Sequence, residues 1–331
     1  MPVKVGIIGA GYIGALHANI LTKDERVKIA GVYDIVSERA AALASSVGAE
    51  AVNSVEQLID SADAVYITTP NTQHVGLVLS ALEAGRHVFS EKPMATELDG
   101  ARKILEASRQ SRGIYQLGHN RRFAPVYKFV KKLITEGQIM PHSAHIKMNR
   151  GELQNPPWVG DSKVTGGFLY ETTIHLLDMA LWLFGDVKRI DVRARACHYN
   201  DFDNFSMLIS FAGGMFATFA SSADASWYFP FERLEIFGGH ATVETQEMER
   251  VSCVLGLGRE IVTQDFYQLT KEQKWGYAEE DHLFITSILD DAPGAVTALD
   301  GYKSVELVEA CYRSARTGEA VDLPLNSIQK Q

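Results

Sequence analysis

The stretch Val3-Lys4-Val5-Gly6-Ile7-Ile8-Gly9-Ala10-Gly11-Tyr12-Ile13-Gly14 decides the fold class. Its first six residues read as a buried β-strand, and they run into a G-x-G-x-x-G turn that opens a helix over 13–21. Gly9 allows a tight turn off the strand. Gly11 lets backbone approach a pyrophosphate, and Gly14 lets the helix pack close to the strand. The helix N-terminus offers N–H groups and partial positive charge to the phosphates. Tyr12 and Ile13 lie in the same loop and would pack near the cofactor. Three glycines in six residues are a weak signal alone. The strand–turn–helix setting strengthens it, as does Asp34, which ends a second strand over 27–33. A carboxylate there accepts hydrogen bonds from the adenosine ribose hydroxyls and repels a 2′-phosphate. NAD is therefore the expected cofactor, and Ser37 and Arg39 just downstream keep NADP open. Gly9 and Asp34 as plain turn residues are the competing reading.

Outward from this anchor, strands and helices alternate over the first 120 residues. Continuous apolar strands are expected at 64–68, 87–90 and 114–118, with helices at 37–47, 54–60, 73–84 and 97–112. Repeated strand–helix units with buried strands mean a parallel, doubly wound sheet over 1–120. After Gly118 the texture changes. Helices are expected at 124–136 and 167–184, and alternating strands at 143–149, 189–198, 204–211, 215–222, 233–237 and 241–245, with a Gly-rich hairpin at Ala212-Gly213-Gly214. Residues 121–331 thus read as an α+β domain with a large, open, mostly antiparallel sheet, serving substrate binding and oligomerisation. Helices at 279–289 and 304–317 close the fold and are free to pack back on the first domain; Asp300 and Gly301 mark the start of the last one. An open sheet face alternating Phe, Met and Ile needs cover, so a homodimer or homotetramer through that face is expected.

The 331 residues suffice for two cores. With 46% hydrophobic and 22% charged residues and a net charge of −9, the composition carries no basic block, which argues against nucleic acid as a partner. No apolar run is long enough to span a membrane, and no charged-then-apolar leader precedes the first strand. Cys197, Cys253 and Cys311 lack metal-ligand spacing and read as buried thiols in a reducing compartment; a cytoplasmic protein without a bound metal is expected.

Two stretches bear on chemistry. Glu91-Lys92-Pro93 follows the strand over 87–90, at a strand end that faces a bound dinucleotide in such sheets. Pro93 stiffens this turn, a cis peptide bond being one way, so Lys92 is aimed; the bland reading is a solvated surface lysine. The loop Thr69-Pro70-Asn71 and His74 follow the neighbouring strand and serve the nicotinamide ribose or cap a helix. Farther on, Gly167-Phe168-Leu169-Tyr170-Glu171-Thr172-Thr173-Ile174-His175-Leu176-Leu177-Asp178, read as a helix, puts Glu171 and His175 on one face with Asp178 a turn along. An imidazole beside a carboxylate is a general-base arrangement; a structural His–Glu pair is the alternative.

Taken in order, the glycine turn, Glu91-Lys92-Pro93, Gly118-His119-Asn120-Arg121-Arg122-Phe123-Ala124-Pro125, the helix over 167–178 and the end Ser314-Ala315-Arg316-Thr317-Gly318 resemble the glucose–fructose oxidoreductase/inositol dehydrogenase/rhizopine catabolism (Gfo/Idh/MocA) family over nearly the whole chain. The resemblance implies NAD(P)-linked oxidation or reduction of sugars, cyclitols and related polyols, with nicotinamide in the domain junction. It places Lys92 at the family's catalytic lysine and His175 at its catalytic histidine. Glu171 falls where sugar and inositol dehydrogenases usually carry aspartate, a departure that points to a change of substrate. Asn120 and Arg122 match substrate-side positions, the arginine's other reading being that it braces the two domains. Trp158 lies where relatives build a wall over the substrate, or else in a core; His119 and Trp227 carry no assigned role. Two other functions use the same scaffold: a redox-neutral lyase or hydrolase that oxidises transiently with a tightly held NAD, and a non-catalytic NAD(P) sensor.

Overall fold

The computed structural model describes residues 1–226, 231–258 and 260–325, so Trp227 lies outside the described residues. The chain divides into two compact units, 1–120 with 276–302 and 121–275 with 303–331.

In unit 1, strands β1 (Val3–Ile8), β2 (Val27–Tyr33), β3 (Ala64–Ile67), β4 (His87–Glu91) and β5 (Tyr115–Gly118) form an all-parallel sheet in the order β2-β1-β3-β4-β5. Its central strands are apolar on both faces, as a sheet covered by helices on both sides demands: Val5, Ile7, Val65, Tyr66, Val88 and Phe89 are fully buried. The winding reverses between β1 and β3, and ligands of open α/β sheets bind beyond the carboxyl ends at such a point. Residues 276–302 complete the core. The helix Tyr277–Leu289 sends Phe284 against Tyr66 and Phe89, whose own rings stack at 4.6 Å. Gln116 accepts the Ala295 N–H and donates to the Glu280 carbonyl, at 2.9 and 3.1 Å. Gly301, expected to start the last helix, lies inside the helix Ala298–Thr317 instead. A Cβ there would stand 2.7 Å from Leu117 Cδ2, so close packing, and not the helix start, accounts for the glycine.

Among the described residues, unit 2 is built on nine strands: β6 (Ser143–Asn149), β7 (Val187–Arg195), β8 (Asn204–Phe211), β9 (Phe216–Ser222), β10 (Glu232–Gly238), β11 (Ala241–Gln246), β12 (Arg250–Val254), β13 (Val262–Asp265) and β14 (Val321–Asp322). Their order is β13-β12-β11-β10-β6-β9-β8-β7-β14, antiparallel except where β6 meets β9. One face is buried. The Thr173 and Ser221 hydroxyls bond at 2.8 Å, and Ser314 Oγ accepts the Val192 N–H at 2.9 Å.

The opposite face corrects an expectation. Ile146, Met148, Phe205, Met207, Ile209, Phe219, Leu234 and Ile236 all point to the buried side. Because strand side chains alternate, the exposed side receives His145, Arg193, Ser206, Thr218 and Arg233, with Leu208, Phe216 and Phe237 among its large apolar members. The open face is thus polar and mixed in charge. The strand expected over 189–198 ends at Arg195, because the Asp203 carboxylate collects the backbone N–H groups of Cys197, His198 and Tyr199 at 2.7–2.8 Å and draws the chain out of the ladder. Cys197 is exposed, unlike the buried Cys253 and Cys311, which corrects the expectation of three buried thiols. Among the described residues no helix is long and apolar enough to cross a membrane.

Candidate active site

In unit 1 the parallel strands deliver the expected residues to one edge, at their carboxyl ends. Gly9 leaves β1 with φ +103°, and its N–H bonds the Tyr33 carbonyl at 2.8 Å. A Cβ on Gly14 would lie 2.0 Å from the Gly9 carbonyl oxygen, so only glycine lets the helix Tyr12–Leu21 start so near the turn. Gly11 differs. Beyond its chain neighbours, a Cβ there would meet no atom of the described residues within 4 Å, and its φ of −75° suits any residue. Packing within the protein does not require glycine at Gly11, whereas close approach of a pyrophosphate to backbone does. No side chain caps this helix, and a helix N-terminus favours an anion. Asp34 follows β2 with both oxygens aimed: Oδ2 accepts the Ala10 N–H at 2.7 Å and Oδ1 the Val36 N–H at 2.8 Å. This donor and acceptor set fits a dinucleotide. Tyr12 and Ile35 are largely exposed beside it.

Thr68 was not singled out from sequence. Its hydroxyl donates to the carbonyls of Ile8 and Gly9, at 3.1 and 2.8 Å, and ties the end of β3 to the glycine turn. A hydroxyl residue at the end of the strand next to the glycine turn was the available signal. Thr69 and Asn71 follow β3, Asn71 opening a single 3₁₀ turn, Asn71–Gln73. The His74 ring lies between the carbonyls of Pro93 (2.7 Å) and Thr69 (2.9 Å), bracing the loops after β3 and β4; burial lowers its pKa against the pull of those two carbonyls. Glu91 ends β4, Lys92 is half-buried, and the Lys92–Pro93 peptide is cis. Asn120 and His119, just past β5, are buried.

In unit 2, Gly167 (φ +108°) precedes the helical stretch. A Cβ there would stand 2.4 Å from the Tyr312 hydroxyl, which accepts the Leu169 N–H at 3.1 Å. The expected single helix has two parts, a π-helical turn Leu169–Thr173 and an α-helix Ile174–Phe184. The wider turn carries Glu171, and His175 follows, buried, in the first α turn. Such π segments concentrate at functional sites. Arg150, missed from sequence, faces Glu171 at 3.5 Å, and its guanidinium also donates to Thr172 Oγ1 and the Glu152 carbonyl, at 3.3 and 3.2 Å. Glu171 is thereby placed by an arginine just past β6, a link no local pattern reveals.

Arg122, expected on the substrate side, forms a bidentate pair with Asp178 at 2.7 and 2.8 Å, and Ser304 Oγ adds a third hydrogen bond to that carboxylate at 2.9 Å. The pair lies wholly within unit 2 and so differs from a brace between the two domains. Asp178, expected to extend the histidine's face, serves this pair. Arg121 does the same for Glu232, at 2.6 Å, and stacks over Trp275. Trp158 sits in a 3₁₀ turn, Pro157–Gly160, and is 40% exposed, which excludes the core reading and leaves its face presented. Tyr199 steadies the loop before it, its hydroxyl accepting the Leu153 N–H at 2.7 Å. Among the described residues, no group of three or more His, Cys, Asp or Glu is placed to hold a metal ion.

A model of an oxidoreductase family with an NAD-binding Rossmann fold matches residues 3–119, and a model of that family's C-terminal alpha/beta domain matches residues 131–323. Inositol 2-dehydrogenase of Rhizobium meliloti (strain 1021) is 29% identical over 329 residues, 95% of this chain and 97% of its own. Inositol 2-dehydrogenase 3 of Saccharopolyspora erythraea is 30% identical over 337 residues, 98% of this chain and 96% of its own. A levoglucosan dehydrogenase solved with NADH and levoglucosan superposes with a TM-score of 0.89, covering 98% of this chain and 100% of that one, and at 20% identity this likeness is one of fold.

Proposed function

The chain belongs to this NAD-binding oxidoreductase family, whose enzymes act on CH–OH groups, and we propose that it is a dehydrogenase or reductase working at a secondary alcohol carbon of a sugar, cyclitol or related polyol. The observation that carries the reading is the place of Lys92 at the carboxyl end of β4, on the edge that also bears the glycine turn and Asp34. Residues Gly9, Gly11, Gly14 and Asp34 would hold NAD, with Thr69, Asn71, His74 and Glu91 near its nicotinamide half. Bound NAD supplies a hydride acceptor. In the oxidation direction the alcohol loses its proton to the His175 imidazole, while the Lys92 ammonium donates a hydrogen bond to the oxygen and stabilises its developing charge. Glu171, fixed by Arg150, orients the histidine or a substrate hydroxyl. Trp158 offers an aromatic face to the apolar side of a sugar ring. Two relatives named as inositol 2-dehydrogenases put cyclitols first among substrates to try.

The test is NADH or NADPH appearance across inositols, aldoses and their deoxy and amino variants. Turnover with one group is expected, faster with NAD. Lys92→Ala and His175→Ala should each lower kcat by about 10²–10⁴-fold, the range for loss of a general acid–base group, with NAD affinity changed less than about threefold. Unchanged turnover in both variants defeats the assignment. Silence across the panel despite NAD binding by calorimetry favours redox-neutral use or a sensor. We also propose a homo-oligomer through the polar open face of the nine-stranded sheet; a monomer mass by light scattering at micromolar concentration would count against it.

A further inference from the structure

Unit 1 contains a buried charged cluster that the proposed reaction does not use directly. His17, on the helix Tyr12–Leu21 that begins at the glycine turn, is fully buried. Its Nδ1 lies 2.8 and 3.0 Å from the two oxygens of Asp281, and its Nε2 lies 3.2 Å from Glu91 Oε1. The rings of Phe89, Tyr66 and Tyr277 surround it at 5.0, 5.5 and 5.8 Å. Both ring nitrogens face carboxylates, so the ring donates on both sides and is an imidazolium. Burial opposes that charge, but Asp281 and then Glu91 overcome it, and the pKa stands well above its ordinary value. Burial likewise opposes the Glu91 charge, and the hydrogen bond from His17, its charge and that of Lys92 hold the carboxyl below its usual range. The second Glu91 oxygen accepts the backbone N–H of Lys92 at 3.1 Å. A side chain on Gly118 would press on this carboxylate, its Cβ 3.2 Å from Glu91 Cδ.

Stability does not account for the arrangement, since apolar residues of similar volume often serve a fold as well as a buried ion cluster. What the cluster achieves is a chain of directed bonds, from Asp281 through the imidazolium to Glu91 and on to the Lys92 backbone. We propose that His17 is a positioning residue for Lys92: it fixes the Glu91 carboxylate, which fixes the backbone from which the Lys92 ammonium reaches substrate, and it ties that placement to the helix of the cofactor turn. The proposal rests on the reading of Lys92 as the group that touches the substrate oxygen.

The experiment uses the full chain with lysines reductively methylated with ¹³C-formaldehyde, the Lys92 resonance being identified by its loss in Lys92→Ala. In His17→Gln the Lys92 resonance should move, because the Glu91 carboxylate that holds its backbone N–H loses its imidazolium partner. With NAD and myo-inositol, or whichever polyol proves active, kcat should fall about 10–100-fold while KM for NAD changes less than about threefold. Glu91→Gln should lower kcat likewise, and the double variant should lose little more kcat than either single one, as expected of residues acting in series. Asp281→Asn added to His17→Gln removes one uncompensated carboxylate and should restore melting temperature without restoring kcat. A Lys92 resonance and kcat unchanged in a folded His17→Gln, with only the melting temperature lowered, would overturn the proposal. Full turnover by Lys92→Ala would instead overturn the reading beneath it, whatever the resonance does.

Discussion

At Gly14 a single added carbon would sit 2.0 Å from a backbone oxygen of the same turn; at Glu171 the side chain is placed by Arg150, on another element, 3.5 Å away. The cofactor turn and the helical site of unit 2 are specified in these two different ways. In unit 1 the glycine turn is shaped by backbone: positive φ at Gly9, close approach at Gly14, and an N–H group bonded to Asp34. In unit 2 the corresponding shaping falls to pairs of side chains distant in sequence, Arg150 with Glu171, Arg122 with Asp178 and Arg121 with Glu232. A dinucleotide pyrophosphate is the same in every enzyme and suits a backbone cradle. A polyol differs in each, and side chains are what a chain can vary without refolding.

The sharpest way to break this contrast is Arg122→Ala. It would leave the Asp178 carboxylate buried and without its bidentate partner, at an expected cost of about 3–5 kcal/mol in urea unfolding. A loss below about 1 kcal/mol would mean that such pairs do not hold unit 2 together.

Next in size are two glycines of one motif. Gly14→Ala should destabilise the fold by about 1–3 kcal/mol, because the Gly9 carbonyl must move. Gly11→Ala should leave stability within about 0.5 kcal/mol, since none of the described residues beyond its chain neighbours meets the new methyl, yet weaken NAD binding at least about tenfold in calorimetry. Equal effects on stability would remove the distinction between a glycine the fold needs and one the ligand needs.

This is also why the units were unequally legible in sequence. The alternation of strand and helix, the glycine turn, Asp34 and the Glu91-Lys92-Pro93 turn are local patterns, and each stands at a strand end of one sheet. Lys92, Glu171 and His175 were readable as residues of interest for the same reason. Arg150 was not: it lies just past β6, and its partners Glu171 and Thr172 are distant in sequence, in a π-turn that apolar spacing cannot distinguish from an α-turn. Strand β13 escaped because all four of its residues are exposed and show no alternation. The end of β7 was overrun because the competitor for its N–H groups, Asp203, comes eight residues later.

Arg150→Ala tests that unreadable link. Freed of the guanidinium, Glu171 should raise the substrate KM about tenfold, or about 1.4 kcal/mol, with a smaller change in kcat. Arg150→Lys should not restore it, because one ammonium cannot reproduce donors to Glu171, Thr172 Oγ1 and the Glu152 carbonyl together. A fully active lysine variant would show that charge alone, and not the arginine fork, sets Glu171.

The smallest expected effect compares two carboxylates that face burial differently. Glu91 has the His17 imidazolium and stays ionised; Glu247, half-buried in unit 2, has burial and the Glu232 carboxylate against it, and its pKa is raised to about 7. The folded state therefore keeps a proton on Glu247 that the unfolded chain releases near its ordinary pKa of 4.5. By linkage, that contribution is complete below the unfolded value and is lost as pH rises through about 7. Glu247→Gln keeps the positive φ of 51° and an oxygen for the N–H groups of Phe231 and Glu232, so it isolates the charge. Discounted for solvent screening at a half-buried site, the variant should gain about 1 kcal/mol over the parent between pH 5 and pH 8 in urea unfolding. Glu91, its pKa lowered, should contribute no slope in that window and lose its stabilisation only on acidification below the usual carboxylate range. Parallel stability curves for the parent and Glu247→Gln would mean that backbone N–H groups neutralise a carboxylate at a strand end as effectively as an imidazolium does.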